Sequence, residues 1–172
     1  KYISDRQYQG GEIPVYGEGL HIELAAEDGG AGVQDIYLSI NGAPFRPYRG
    51  TLTDFTRSRE LRLRFYAVDR VGNASPVQEQ RILIDVTPPT TAIGLDGVRD
   101  LEVYSPSVTF SLSGQDSPAG LRAIVTRFDD GPSSEYRKPV TINDLNDGPH
   151  RFSYHGVDRV ANEEEIHSFQ FY

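Results

Sequence analysis

Hydrophobic and polar residues alternate along several short segments of the chain. Between Leu61 and Val68 the apolar side chains Leu61, Leu63, Phe65 and Ala67 occupy every second position, which is the period of a half-buried β-strand. Further strand-like segments lie at 20–24, 36–40, 81–84, 108–112, 124–128, 152–156 and 167–171. No segment sustains the apolar spacing of three and four residues that an amphipathic helix needs. The pattern predicts an all-β protein with almost no helix.

The strand pattern occurs twice because the sequence repeats itself. The segment Val68–Asn73 (VDRVGN) returns as Val157–Asn162 (VDRVAN), and Val15-Tyr16 returns as Val103-Tyr104. One inserted residue near Asp129 reconciles the offsets of the two blocks. Two blocks in the same order and at nearly the same spacing indicate a duplication. We therefore predict two domains, residues 1–86 and 87–172.

The seam between the repeats is the segment Asp85–Thr91 (DVTPPTT), whose two prolines predict a short, stiff, Pro-rich linker. Each repeat then holds about seven short strands in roughly 85 residues, which is typical of a β-sandwich. We predict two tandem Ig-like antiparallel β-sandwich domains. The chain has no Cys and no Trp, so the likeness to antibody domains is one of architecture.

The net negative charge of the chain argues against one class of partner, nucleic acids. The chain carries 25 Asp and Glu against 17 Lys and Arg, a net charge of -8, which repels a nucleic-acid backbone. Without Cys there is neither a disulfide, nor a thiolate metal site, nor a Cys nucleophile. No apolar run approaches the roughly 20 residues of a membrane helix. We expect no nucleic-acid partner and no membrane span in this fragment.

Short motifs recur at the same places in the two repeats. They are Asp28–Val33 (DGGAGV), Tyr48 and Tyr66–Asn73 (YAVDRVGN) in the first, and Thr87–Pro89 (TPP), Asp116–Leu121 (DSPAGL), Tyr136 and Val157–Asn162 (VDRVAN) in the second. This set resembles the bacterial Ig-like repeats of the OmpL47 type, which are found in surface and secreted proteins. The resemblance implies an extracytoplasmic location (cell surface, periplasm or secreted) and a structural or binding role.

The second repeat departs from the family pattern at two places. Ala161 stands where the family usually has Gly, and His155-Gly156 stands where an aromatic residue followed by Ala is usual. If the backbone at residue 161 needs a positive φ, Ala161 is strained.

Acidic residues and an amide recur in loops that an Ig-like strand order places at one end of the sandwich. Asp116 follows the second strand of repeat 2, and Asp158 and Asn162 precede its last strand. The linker would bring Asp85 to the same end. Such oxygen ligands suit Ca²⁺, so the four residues are a candidate calcium site at the interdomain junction. The alternative is that Asp and Asn in tight turns bond their own backbone and hold the turn closed.

Two groups of side chains are candidate ligand contacts. Arg62, Arg64 and Tyr66 would share the outer face of one strand, where they could bind an acidic glycan or a protein. The alternative is that charged side chains there keep the sheet soluble. Tyr48 and Tyr136 would form a sugar-stacking row if they were exposed. The middle segments 43–59 and 132–146 are further places for recognition, since loops on rigid sandwiches carry function.

The sequence offers no motif for catalysis. No nucleophile elbow, phosphate loop, dinucleotide fingerprint or His metal frame is present, and the acidic run Glu163–Glu165 is expected to be a solvated loop. The first hypothesis is a non-catalytic structural or binding module of an exported bacterial protein, with a protein or glycan ligand or other domains of the parent chain as partner. The second is an accessory, carbohydrate-associated domain pair of a larger secreted or envelope enzyme.

Overall fold

The computed structural model describes residues 1–101, 103–104, 107–143 and 145–172. The chain divides into two compact units, unit 1 from Lys1 to Thr87 and unit 2 from Pro88 to Tyr172. Throughout the described ranges the regular elements are strands, so the prediction of an all-β fold is confirmed. A helix long and apolar enough to cross a membrane is not found there.

Unit 1 is built from eight strands. They are β1 (Tyr2–Ile3), β2 (Gln7–Tyr8), β3 (Val15–Tyr16), β4 (His21–Ile22), β5 (Val33–Ile40), β6 (Arg46–Pro47), β7 (Arg59–Asp69) and β8 (Gln78–Ile84). Six of them form a sheet in the order β2-β3-β8-β7-β5-β6, in which β3 and β8 run parallel and the other neighbours antiparallel. The second layer consists of β1 paired with β4, extended by a bridge from Ile22 to Leu52.

The described residues of unit 2 form nine strands. They are β9 (Thr90–Asp96), β10 (Arg99–Asp100), β11 (Val103–Tyr104), β12 (Val108–Gln115), β13 (Leu121–Phe128), β14 (Ser134–Glu135), β15 (Val140–Ile142), β16 (His150–Asp158) and β17 (His167–Phe171). A four-stranded sheet, β14-β13-β16-β17, faces a three-stranded sheet, β15-β12-β9, while β10 and β11 form a separate hairpin.

Each unit buries the apolar face that the alternation predicts. In unit 1, Leu61 and Leu63 of β7 pack with Ile22 of the second layer, and all three are almost completely buried. In unit 2, Phe110 of β12 stacks on Phe152 of β16, with ring centroids 4.1 Å apart and planes 10° from parallel. Every unit therefore closes its two layers over its own hydrophobic core.

The two units repeat the same local irregularity. The antiparallel pairing of β5 with β7 shifts between Val33 and Asp35, and the pairing of β13 with β16 shifts between Leu121 and Ala123. These positions correspond in the sequence repeat, so a β-bulge occupies the same place in both units.

The backbone of the turn before the last strand has a positive φ in both units. The φ angle is 90° at Gly72 and 64° at the matching Ala161. Glycine adopts this conformation freely, whereas a residue with a Cβ is strained there. The expectation that Ala161 is strained is confirmed.

Candidate ligand-binding face

Arg62 and Arg64 lie on the outer face of β7, as the alternation predicts. The guanidinium of Arg62 forms an ion pair with a glutamate of the neighbouring strand. Its Nε and Nη2 donate to the two carboxylate oxygens of Glu79 on β8, at 2.6 and 2.9 Å. The hydrogen bond from Arg62 holds the pKa of the Glu79 carboxyl below its usual value. Arg81 pairs with Glu60 across the same two strands at 2.7 Å. We call these two cross-strand ion pairs the charge ladder. Such pairs are typical of a sheet face that is exposed to water.

Tyr66 belongs to a cluster of aromatic rings beside this ladder. Its ring stacks on Tyr37 of β5, with centroids 5.1 Å apart and planes 11° from parallel. Phe45 meets the Tyr66 ring edge-on at 5.0 Å, and the Arg64 guanidinium lies 5.4 Å from the centre of the Phe45 ring. We call Tyr37, Phe45, Arg64 and Tyr66 the aromatic face.

The aromatic face lies apart from the hydrophobic core of unit 1. None of its four residues is among the buried core residues or the partly buried hydrophobic residues packed against them, and all four are partly exposed. Tyr37 pairs with Pro47 and Val125 with Glu135, so the offset of 88 continues past Asp129 and the inserted residue comes later than the sequence indicated. The matching positions of unit 2 hold Val125, Ser133, Ser153 and His155. Unit 2 closes a sandwich of the same kind without these rings, so the fold does not require them.

The sequence pattern singles out neither Tyr37 nor Phe45, although Phe45 lies in the segment 43–59, which was expected to be a place for recognition. Tyr37 occupies an outward position in the predicted strand 36–40, and that position could have joined it to Tyr66 once the pairing of the strands was known. Phe45 lies in a connection outside the strand pattern, and nothing in the sequence places its ring over β7.

Tyr48 and Tyr136 occupy equivalent positions in the two units, and their rings pack against the respective cores. The hydroxyl of Tyr48 accepts a hydrogen bond from the Leu24 backbone N–H at 3.3 Å, and that of Tyr136 accepts one from Leu112 at 3.0 Å. Tyr48 thus ties the connection after β6 to the segment that follows β4, and Tyr136 ties the connection after β14 to β12. Their predicted role in sugar stacking stays a prediction.

Asp116, Asp158 and Asn162 of the predicted calcium ligands come together in unit 2. Oxygens of the Asp116 and Asp158 carboxylates lie within 4.8 Å of each other. Oxygens that share one Ca²⁺ at about 2.4 Å are at most about 4.8 Å apart, so this pair is close enough. The Asn162 Nδ2 donates to Asp158 Oδ2 at 2.7 Å. Asp85 belongs to unit 1, where its Oδ1 accepts hydrogen bonds from Ser58 and Thr87.

The hydrogen bonds of Asp158 are those of a residue that closes a turn. Its Oδ1 accepts from the backbone N–H groups of Val160 at 2.9 Å and Asn162 at 2.8 Å. In unit 1, the carboxylate of Asp69 receives the same three bonds from Val71 and Asn73. The bonding is therefore a property of the repeated turn, in line with the backbone-bonding alternative.

Glu164 contradicts the expectation that the acidic run Glu163–Glu165 is a solvated loop. Its side chain is 11% exposed and accepts hydrogen bonds from Thr91 N, Thr91 Oγ1 and Gly156 N, with His167 Nε2 at 2.9 Å. Burial alone would raise the pKa of Glu164, but the bonds from Thr91 and His167 hold it below the usual value. Glu164 therefore fixes the start of β9 to the β16–β17 connection of unit 2.

Comparison with known proteins does not identify a function. No family model matches the chain, and no curated protein matches it. Similar solved structures include the fibronectin(III)-like modules of Clostridium thermocellum CbhA, at 15% sequence identity and a TM-score of 0.42, over 91% of this chain and 86% of that one. At these values the match carries no argument about ligands or activity.

Proposed function

We propose that the chain is a non-catalytic module of an exported bacterial protein that binds a protein partner through the aromatic face of unit 1. The observation that carries this proposal is the set of three aromatic rings outside the core, at positions where unit 2 has Val125, Ser133 and His155. Tyr and Arg are enriched among the residues that contribute most of the binding energy of protein interfaces, and Phe is enriched in those interfaces as well.

The arrangement of the rings favours a protein over a glycan. Tyr37 and Tyr66 stack on each other, so each covers one face of its neighbour. A sugar that stacks on a ring needs an open, flat face, whereas side chains of a protein pack equally well on ring edges. A glycan ligand, with the chain as an accessory domain pair of a larger secreted or envelope enzyme, is the alternative.

The extracytoplasmic location rests on the motifs alone. The segments Asp116–Leu121 and Val157–Asn162, with their counterparts in repeat 1, resemble OmpL47-type repeats of surface and secreted proteins. We propose membership of that family on this basis.

The aromatic face is tested by giving unit 1 the residues of unit 2. We expect the triple variant Tyr37→Val, Phe45→Ser, Tyr66→His to fold, because unit 2 carries these residues at the same places. Immobilised wild-type and variant chains are incubated with the extracytoplasmic protein fraction of the source bacterium, and any retained protein is identified and titrated. The variant should bind it at least about 30-fold more weakly, the effect of losing one 2 kcal/mol hot spot.

Two controls make this result specific. Ser153→Ala changes the outer face of unit 2 and should leave binding intact. A glycan array is probed with the same chains. Saturable sugar binding that is lost in Tyr48→Ala or Tyr136→Ala would favour the accessory role, and equal binding of the protein partner by the triple variant would refute the aromatic face.

Calcium binding stays a prediction from the sequence and is tested by thermal unfolding. If calcium binds, 1 mM Ca²⁺ raises the melting temperature of unit 2 relative to chelator. A dissociation constant near 0.1 mM corresponds to about 1.4 kcal/mol, which is roughly 8 °C for a unit of this size. The shift should disappear in Asp116→Asn, which can still accept the 2.7 Å bond from Gly120 N–H. An unchanged melting temperature would discard the site.

A further inference from the structure

His150 lies at the start of β16, between two phenyl rings of unit 2. Its ring is 5.5 Å from that of Phe128, with planes 19° apart, and 5.7 Å from that of Phe171. The His150 side chain is 14% exposed. The packing fixes the plane of the imidazole, so the directions of its two nitrogens are fixed as well.

Both ring nitrogens of His150 face oxygen acceptors. Nδ1 is 2.9 Å from Asp129 Oδ2, and Nε2 is 2.9 Å from the backbone carbonyl oxygen of Asn146. A carbonyl has no proton to donate, and an ionised carboxylate has none either. A neutral imidazole carries one N–H, so one of its nitrogens would direct a lone pair at an acceptor. The geometry therefore favours the imidazolium, which carries both protons.

The charged groups near His150 favour the doubly protonated imidazolium. Asp129 accepts a second hydrogen bond, from the Arg151 N–H at 2.7 Å. Asp130 lies 3.6 Å from Arg127 and from Arg151, so these two arginines face a carboxylate of their own. The residues of strand β17 near His150 are Phe171 and Gln170, which do not titrate. The loop that contains Asn146 carries one further charged group, Asp147.

The hydrogen bonds have the expected electrostatic effect. The bond to the Asn146 carbonyl, followed by the bond to Asp129, raises the pKa of His150 above its ordinary value of 6.5, against the opposing effect of burial. Burial would raise the pKa of Asp129, but the bonds from His150 and Arg151 hold it below its usual value.

We propose that His150 is a pH-controlled latch, which holds the loop of residues 145–149 against the β13–β14 turn while its ring carries two protons, and releases that loop when one is lost. The bond to Asp129 joins two charged groups and is the stronger of the two, so the remaining proton stays on Nδ1. The Nε2 lone pair then faces the carbonyl oxygen of Asn146 and repels it.

The direction of the pH dependence follows from the raised pKa. In the folded state His150 holds its second proton to a higher pH than in the unfolded chain, so its contribution to stability is complete below about pH 6.5. The contribution is lost as the pH rises through the folded pKa. Each further pH unit lowers the latched population about tenfold.

The latch is tested by NMR on the wild-type chain. The ¹⁵N shifts of the His150 ring report its protons directly. Backbone ¹⁵N relaxation of residues 145–148 and the ¹³C shift of the Asn146 carbonyl report whether the loop is held. We expect both ring nitrogens to be protonated at pH 6 and the loop to become mobile at the pH where His150 titrates. A His150 titration at or below pH 6.5, or loop relaxation that does not change with that titration, would overturn the proposal.

Two variants separate the latch from a general effect of pH. Asp129→Asn removes the charge that holds the second proton, and should lower both the His150 titration and the pH of loop release together. His155→Gln is the matched control, because His155 lies on the same strand, and it should change neither. If Asp129→Asn moved the titration but not the loop release, the two would not be coupled and the latch would be refuted.

Discussion

Truncation of Phe110 to Ala lowers the free energy of unfolding of unit 2 by about 4 kcal/mol. Phe110 is fully buried between the two sheets, stacked on Phe152 and in contact with the rings of Phe169 and Phe171. These rigid rings cannot close over the space that the lost phenyl group leaves. Because small domains are stable by only about 5–15 kcal/mol, the variant should be close to unfolding at moderate temperature.

The matched variant is Ile22→Ala, since Ile22 occupies the equivalent buried position in unit 1. Amide hydrogen exchange resolves the two units and suits a chain without Trp. Phe110→Ala should reduce protection in residues 88–172, and Ile22→Ala should reduce it in residues 1–87. If either substitution reduced protection equally in both ranges, a single continuous core would replace the predicted two domains.

Replacing Asp158 by Ala destabilises unit 2 by about 3 kcal/mol. Asp158 is fully buried, and its carboxylate accepts bonds from the backbone N–H groups of Val160 and Asn162 and from the Asn162 amide. Alanine leaves these donors without their acceptor in a site with little access for water. Each orphaned buried donor costs about 1–3 kcal/mol.

Asp69→Ala is the control, because Asp69 makes the same three bonds in a turn that is open to water. Water can replace the lost acceptor there, so the loss of stability in unit 1 should be clearly smaller. Chemical denaturation monitored by far-UV circular dichroism measures both. Equal losses in the two variants would show that burial does not set the cost.

The fold could be predicted because its signals are local and repeated. The alternation at Leu61 and Leu63 identifies the buried face of β7 without any knowledge of its neighbours. The first dozen residues gave no prediction, since β1 and β2 hold two residues each and so short a strand has no period. Their position depends on pairing with Ile22 and Tyr16, which a strand of two residues gives no sign of in the sequence.

The candidate site could be predicted only in part, because side-chain partners come from other strands. Alternation placed Arg62 and Tyr66 on the outer face of β7, yet gave no sign that Glu79 holds Arg62 or that Phe45 covers part of that face. Glu164 shows most clearly that the sequence does not reveal such partners. In the sequence it is the middle residue of a charged run, and its partner Thr91 is 73 residues away.

The hydrogen bonds of Glu164 also have a mechanical consequence. Tension along the chain enters unit 2 close to Thr91, where β9 is held by its ladder with β12 in one sheet and by Glu164 next to the other. The applied force is therefore divided between the two sheets of unit 2, so β9 resists being pulled off its sheet. In unit 1 the matching residue, Ser75, binds the N–H of Ala67 with a side chain too short to reach a first strand.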